Sequence, residues 1–115
     1  MSQDSLITVT DATFAELVLN SSRPVVVDFW AEWCPPCRPV ARILAELAEE
    51  FGDQIVIAKI NSDENPEATR TYRVMSMPTL LFFRDGAVHR SIVGARPKSH
   101  FRQALTDFIS PYVNR

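Results

Sequence analysis

The chain has 115 residues, 46% of them hydrophobic and 23% charged, an ordinary globular composition that sets the expectation of a single domain, 1–115, around one core. A net charge of −2, with Lys and Arg scattered along the chain, offers no electrostatic footprint for nucleic acid or an anionic membrane. The opening MSQDSLITVT has neither a basic leader nor an apolar run, and no later stretch approaches the roughly 18 apolar residues of a spanning helix, so a cytoplasmic protein is expected.

In chain order, LITV (6–9) reads as a short strand, and Asp11 is placed to N-cap a first helix whose Phe14, Leu17 and Val18 share one face. RPVVVDFW (23–30) is a nearly continuous β-branched and aromatic run, the pattern of a central strand covered on both faces. Val40, Ile43, Leu44, Leu47, Ala48 and Phe51 then recur at helical spacing opposite Glu46, Glu49 and Glu50, and Gly52 marks the stop. IVIAKI (55–60) predicts another buried strand, and Asn65-Pro66 reads as N-cap and first residue of a short helix. TLLFF (79–83) and AVHRSIV (87–93), joined through Arg84, Asp85 and Gly86, predict a hairpin. Phe101, Leu105, Phe108 and Ile109 mark a closing helix. The order βαβαβαββα describes one α/β domain with a mixed sheet.

The chemistry is concentrated in WAEWCPPCRPV (30–40), which holds the only cysteines, Cys34 and Cys37. A structural zinc site needs four N or S ligands, and His89 and His100 stand too far apart to supply a second pair. A structural staple is disfavoured because chain-entropy stabilisation grows with loop length, and this loop is nearly the shortest possible. A transient, catalytic disulfide is the remaining reading. Cys34 follows a central strand and opens a helix, so it sits at the carboxyl edge of the sheet near backbone N–H groups and the positive end of a helix dipole. That setting favours the thiolate, and Cys37, one turn on, can attack the mixed disulfide. The competing reading, a pair of buried inert cysteines, is opposed by the flanking prolines and Trp33, which argue for a surface turn.

VDFWAEWCPPC, AKINSDENP, MPTLLFFRDG and VGA, in that order, resemble the landmarks of the thioredoxin family over almost the whole chain. The resemblance implies a thioredoxin fold, a central five-stranded mixed sheet flanked by four helices. It also implies protein-disulfide reductase activity with no bound cofactor or metal, electrons coming from NADPH through thioredoxin reductase to disulfide-containing client proteins, and a monomer. It assigns Cys34 as the attacking thiol, Cys37 as the buried resolving thiol, Asp28 as the buried carboxyl that exchanges protons with Cys37, and Lys59 as the partner of Asp28. It keeps the Met77–Pro78 bond cis, against a frequency of about 5–6% for X-Pro bonds in folded proteins, which would free the Met77 backbone groups to pair with an extended client. Trp30, Trp33, Pro35, Pro36, Met77, Pro78, Val93, Gly94 and Ala95 would surround the dithiol. For Asp28 a structural pairing with Lys59 stands beside the functional role, for Trp30 core packing stands beside a place on the rim, and for Gly94 a backbone approach too close for a Cβ is the plainer account.

Departures from the family pattern are as definite. Pro35-Pro36 stands where Gly-Pro is commonest, Arg42 replaces the proline that usually bends the active-site helix, so the bend should move or vanish, and Ser62 and Ser76 replace Ile and Gly near the substrate groove. A thiol oxidase or isomerase is the first alternative, disfavoured by the lack of His between the cysteines. A redox-independent binding module is the second, disfavoured by the intact Cys-x-x-Cys and Asp28.

Overall fold

The computed structural model describes residues 6–113, with side-chain surroundings up to Ser110, so the two ends of the expected 1–115 domain lie outside the described residues. The strands are β1 (Ile7–Thr8), β2 (Val25–Trp30), β3 (Val56–Asn61), β4 (Thr79–Arg84) and β5 (Ala87–Val93), and the helices are α1 (Ala15–Leu19), α2 (Cys37–Phe51), α3 (Pro66–Thr71) and α4 (Lys98–Val113). They form one five-stranded sheet in the order β1-β3-β2-β4-β5. β1, β3 and β2 run parallel, while β4 is antiparallel to β2 and β5 to β4. This is the α/β architecture that the resemblance implies, a five-stranded mixed sheet with four helices among the described residues.

The period of two in β2 sorts its side chains between two cores. Val25, Val27 and Phe29 join Phe14, Val18 and Ala68 under α1 and α3, whereas Val26 joins Val40, Leu44, Leu47, Phe101 and Leu105 under α2 and α4. Asp28 shares the parity of Val26 and therefore faces α2. Lys59 lies directly across from it in the β2–β3 register. Phe14, Tyr72 and Phe83 pack as an aromatic cluster with ring centroids 5.2–5.7 Å apart, fixing α1 and the end of α3 on the sheet. On the other side Glu46–Lys98 and Glu50–Arg102 join α2 to α4 across solvent-exposed ion pairs. The β4–β5 turn has φ of 53° at Asp85 and 79° at Gly86, the left-handed pair of a two-residue hairpin.

The helix caps differ from the local reading. Asp11 does not cap α1; its carboxylate accepts from the Glu67 N–H at 3.1 Å and the Ala68 N–H at 2.9 Å, so it caps α3 from across the fold. Asn65 occupies the N-cap position of α3 but makes no side-chain cap; its Oδ1 accepts from the Asp11 N–H and its Nδ2 donates to the Asn61 carbonyl. Entry to α1 is held instead by Thr10 and Thr13, each hydroxyl accepting from the other's backbone N–H. We expect Asp11→Ala to lower stability by about 1–2 kcal/mol, read as a lower urea midpoint, with little change when Thr71 on the outer face of α3 is replaced by Ala.

Candidate functional site

β2 ends at Trp30 and the chain turns through Ala31 to Pro36 before α2 begins at Cys37. The turn is closed by the Cys34 N–H donating to the Ala31 carbonyl at 3.2 Å and the Cys37 N–H donating to the Cys34 carbonyl at 3.1 Å. Cys34 and Cys37 are joined as a disulfide with their Cα atoms 5.4 Å apart. The turn is at the surface, as Trp33 at 63% exposure, Pro35 and Pro36 show, yet Cys34 and Cys37 are each only 2% exposed. Ala31, Trp30 and Met77 pack around both sulfurs, so in the oxidised state the first cysteine is as covered as the second. The surface turn inferred from the prolines therefore describes Trp33, Pro35 and Pro36 but not the cysteine between them.

Donors near the dithiol are few. Pro35, Pro36 and Pro39 carry no N–H, and the remaining two in this stretch, on Cys37 and Arg38, already donate to the carbonyls of Cys34 and Pro35. α2 continues without interruption from Cys37 to Phe51, and Arg42 on it is exposed.

Beneath the disulfide a cavity of about 260 Å³ is lined by Asp28, Cys37, Lys59, Trp30 and Arg42 among others. Asp28 is fully buried, and neither carboxyl oxygen has a hydrogen-bond partner among the described residues. Loss of hydration raises its pKa from an ordinary 3.8 to about 7, against a smaller opposing pull from Lys59. The structural alternative for Asp28, a direct pair with Lys59, is not what the structure holds: the two are register neighbours, but no Asp28–Lys59 hydrogen bond or ion pair forms and Lys59 acts through space.

The remaining rim residues meet at the same end of the sheet. Met77–Pro78 is cis, Pro78 is buried and Met77 half-buried, and the Pro78 carbonyl accepts from the Gly94 N–H at 2.8 Å. Among the described residues no turn or loop hydrogen bond engages the Met77 backbone. Val93 and Ala95 are exposed on either side of Gly94, and Trp30 is half-buried, between the two readings made of it. The account of Gly94 as a steric close approach is corrected: a Cβ there would come no nearer than 3.8 Å to anything, and glycine is needed because φ is +93°. Asp63 is a site neighbour that sequence spacing does not reveal; its Oδ2 accepts from the Trp33 indole N–H at 2.8 Å, a contact spanning 30 residues that fixes the exposed ring.

Among the described residues no group of three or more His, Cys, Asp or Glu is placed to hold a metal ion, and no helix is long and apolar enough to cross a membrane. The thioredoxin family model matches residues 5–107. The chain is 50% identical over 97 residues to thioredoxin 1 of Synechococcus elongatus, covering 84% of this chain and 91% of that protein. It is 46% identical over 112 residues to a thioredoxin of Mycobacterium tuberculosis, covering 97% and 96%, and 44% identical over 103 residues to the chloroplastic M-type thioredoxin of spinach, covering 90% and 57%. A Cys-x-x-Cys disulfide at the end of a central strand, a buried carboxyl below it and this extent of identity place the chain in the thioredoxin family, as a thiol–disulfide oxidoreductase of the reductase type.

Proposed function

We propose that the chain reduces protein disulfides in a two-thiol cycle in which Cys34 attacks and Cys37 resolves. The Cys34 thiolate attacks one sulfur of the client disulfide, the client's other sulfur leaves as thiolate, and a Cys34–client mixed disulfide forms. Cys37 then loses its proton, attacks Cys34, and expels the second client thiolate, which leaves the 34–37 disulfide oxidised by two electrons and the client reduced. The observation that carries this reading is the shared cavity of Asp28, Cys37 and Lys59: a carboxyl with a pKa of about 7 is suited to accept the Cys37 proton near neutral pH, directly or through a water, for which the cavity has room. Lys59 supports the ionised carboxylate once it forms.

Clients are held by an extended segment paired with the Met77 backbone beside Pro78. Trp33, Pro35, Pro36, Val93, Gly94 and Ala95 supply an apolar surround with little side-chain readout. The protein acts as a monomer in the cytoplasm, where thiols are kept reduced. Recharging comes from thioredoxin reductase, which passes electrons from NADPH to the disulfide. The test is NADPH oxidation in a mixture of a bacterial thioredoxin reductase, this protein and a disulfide-bonded protein substrate. Coupled consumption that needs all three is expected; reduction driven by dithiothreitol alone would keep the dithiol chemistry and remove the reductase from the cycle.

Pro35 tunes the same chemistry. Pro35→Gly restores one N–H beside Cys34 where donors are scarce, and a hydrogen bond to a charged group contributes about 1.5–3 kcal/mol. The variant's Cys34 pKa should fall and its couple become less reducing by a few tens of millivolts, roughly 30 mV per 1.4 kcal/mol for two electrons. Alkylation rates against pH and a glutathione titration read both, and a variant that is more reducing with a higher thiol pKa would contradict the donor account.

A further inference from the structure

A second recess, of about 580 Å³, lies between the β3–α3 loop, α3 and the segment that leads into Pro78. Its walls include Ser62, Arg70, Arg73, Val74 and Met75. Met75 is 90% exposed, a large apolar side chain held almost entirely in solvent. Ser62 is 4% exposed, and its hydroxyl is buried without a hydrogen-bond partner among the described residues, a state that native proteins rarely leave unfilled. Arg73 has a φ of 56°, a left-handed conformation that glycine adopts freely and a β-carbon resists, and such outliers concentrate at functional sites. Arg70 and Arg73 are both exposed, and no carboxylate of the described residues lies within ion-pair distance of either. Asp63, the acidic residue next to Ser62, is engaged by the Trp33 indole.

The chain ties the walls of the recess to the redox centre. The Ser62 N–H donates to the Trp30 carbonyl at 2.8 Å, and Met77, two residues beyond Met75, packs against Cys34 and Cys37. An extended client lying along Met77 advances about 3.3 Å per residue, so positions roughly two to four residues from its cysteine pass over Met75 and reach Arg73.

We propose that this recess selects client polypeptides carrying an acidic side chain about two to four residues from the reacting cysteine. Arg70 and Arg73 pair with the client carboxylate, Met75 covers an apolar neighbour, and the Ser62 hydroxyl takes a hydrogen bond from or to the client main chain. The inference rests on the reductase reading and names its substrate class.

The test uses two cysteine peptides, each capped as a mixed disulfide with thionitrobenzoate and identical except for Glu or Lys at the second to fourth positions on either side of the cysteine. Rates of thiol release by the pre-reduced protein are divided by the rates with dithiothreitol, which removes intrinsic reactivity, and by the protein's own rate with hydroxyethyl disulfide. Wild type should favour the Glu peptide about fivefold, and the preference should shrink as salt is added. Arg70→Gln/Arg73→Gly, which removes both charges and suits the left-handed backbone, should level the two rates, and Arg70→Glu/Arg73→Glu should invert them. Equal rates in wild type, or a Glu preference that survives in both variants, would overturn the proposal. Failure to reduce any of the disulfides, hydroxyethyl disulfide included, would instead overturn the reductase reading and this inference with it.

Discussion

Cys37→Ser is expected to convert the protein from a catalyst into a trap. Cys34 keeps its attack on the client, but the hydroxyl that replaces the second thiol cannot displace it, so a Cys34–client disulfide accumulates in near one-to-one yield. Cys34→Ser should remove protein-disulfide reduction altogether, because the chain has no third cysteine to take over the attack. Both losses exceed what any rim substitution could produce, since each removes a bond-forming atom. Mass spectrometry of the reaction mixtures after a thiol-reactive quench distinguishes them: a covalent adduct with Cys37→Ser and none with Cys34→Ser. Normal turnover by Cys37→Ser with a protein substrate would show that the second thiol is dispensable. Structurally the substitutions are small, because both cysteines contribute only to a minor cluster with Ala31, and closing so short a loop adds little chain-entropy stability.

Asp28→Asn should raise stability and slow resolution together. In the folded protein the Asp28 pKa is raised to about 7, above its ordinary 3.8. Between these values the unfolded chain has released the proton that the folded protein still holds, so wild-type stability falls as pH rises from about 4 to about 7 and levels off above. At one pKa unit per 1.36 kcal/mol the penalty at pH 8 is roughly 4 kcal/mol, an order-of-magnitude figure. Asparagine keeps the size and the lack of partners but cannot ionise, so the variant should exceed wild type by about that amount at pH 8 and match it near pH 4. Urea melts across this range show it; a stability gain that does not depend on pH would mean that packing, not ionisation, separates the two. The kinetic half of the prediction has its own readout. The wild-type resolution rate should rise with pH through about 7 as Asp28 becomes able to accept the Cys37 proton, and the variant should be slow and lack that inflection. An unchanged rate profile would leave Asp28 a structural residue.

Much of this arrangement was legible because the decisive patterns are local. The period of two in VVVDFW places Asp28 on one face of a strand, the helical spacing from Val40 to Leu47 orients α2 over it, and Asp85-Gly86 announces its hairpin. The family resemblance supplied what periodicity cannot, the cis bond at Pro78. What was not legible depends on residues brought together from far apart. Asp11 caps a helix more than fifty residues away, and a capping rule that looks only at neighbours assigns it to the wrong one. Asp63 reaches Trp33 across the fold. The burial of Cys34 follows from where Trp30 and Met77 pack, which composition of the turn alone does not show. Gly94 was expected for the right residue and the wrong reason, because a steric account and a dihedral account leave the same letter in the sequence.

The central claim, that this dithiol works as a reductant, is tested most directly by its equilibrium with glutathione. The absence of a histidine between the cysteines and the scarcity of N–H donors around Cys34 leave the reduced form with little support, which drives the couple toward the disulfide. The account predicts a potential at or below about −250 mV, in the range of the roughly −270 mV known for thioredoxin itself. A potential near about −180 to −120 mV, the range of isomerases and oxidases, would contradict it and make the protein a donor of disulfides instead.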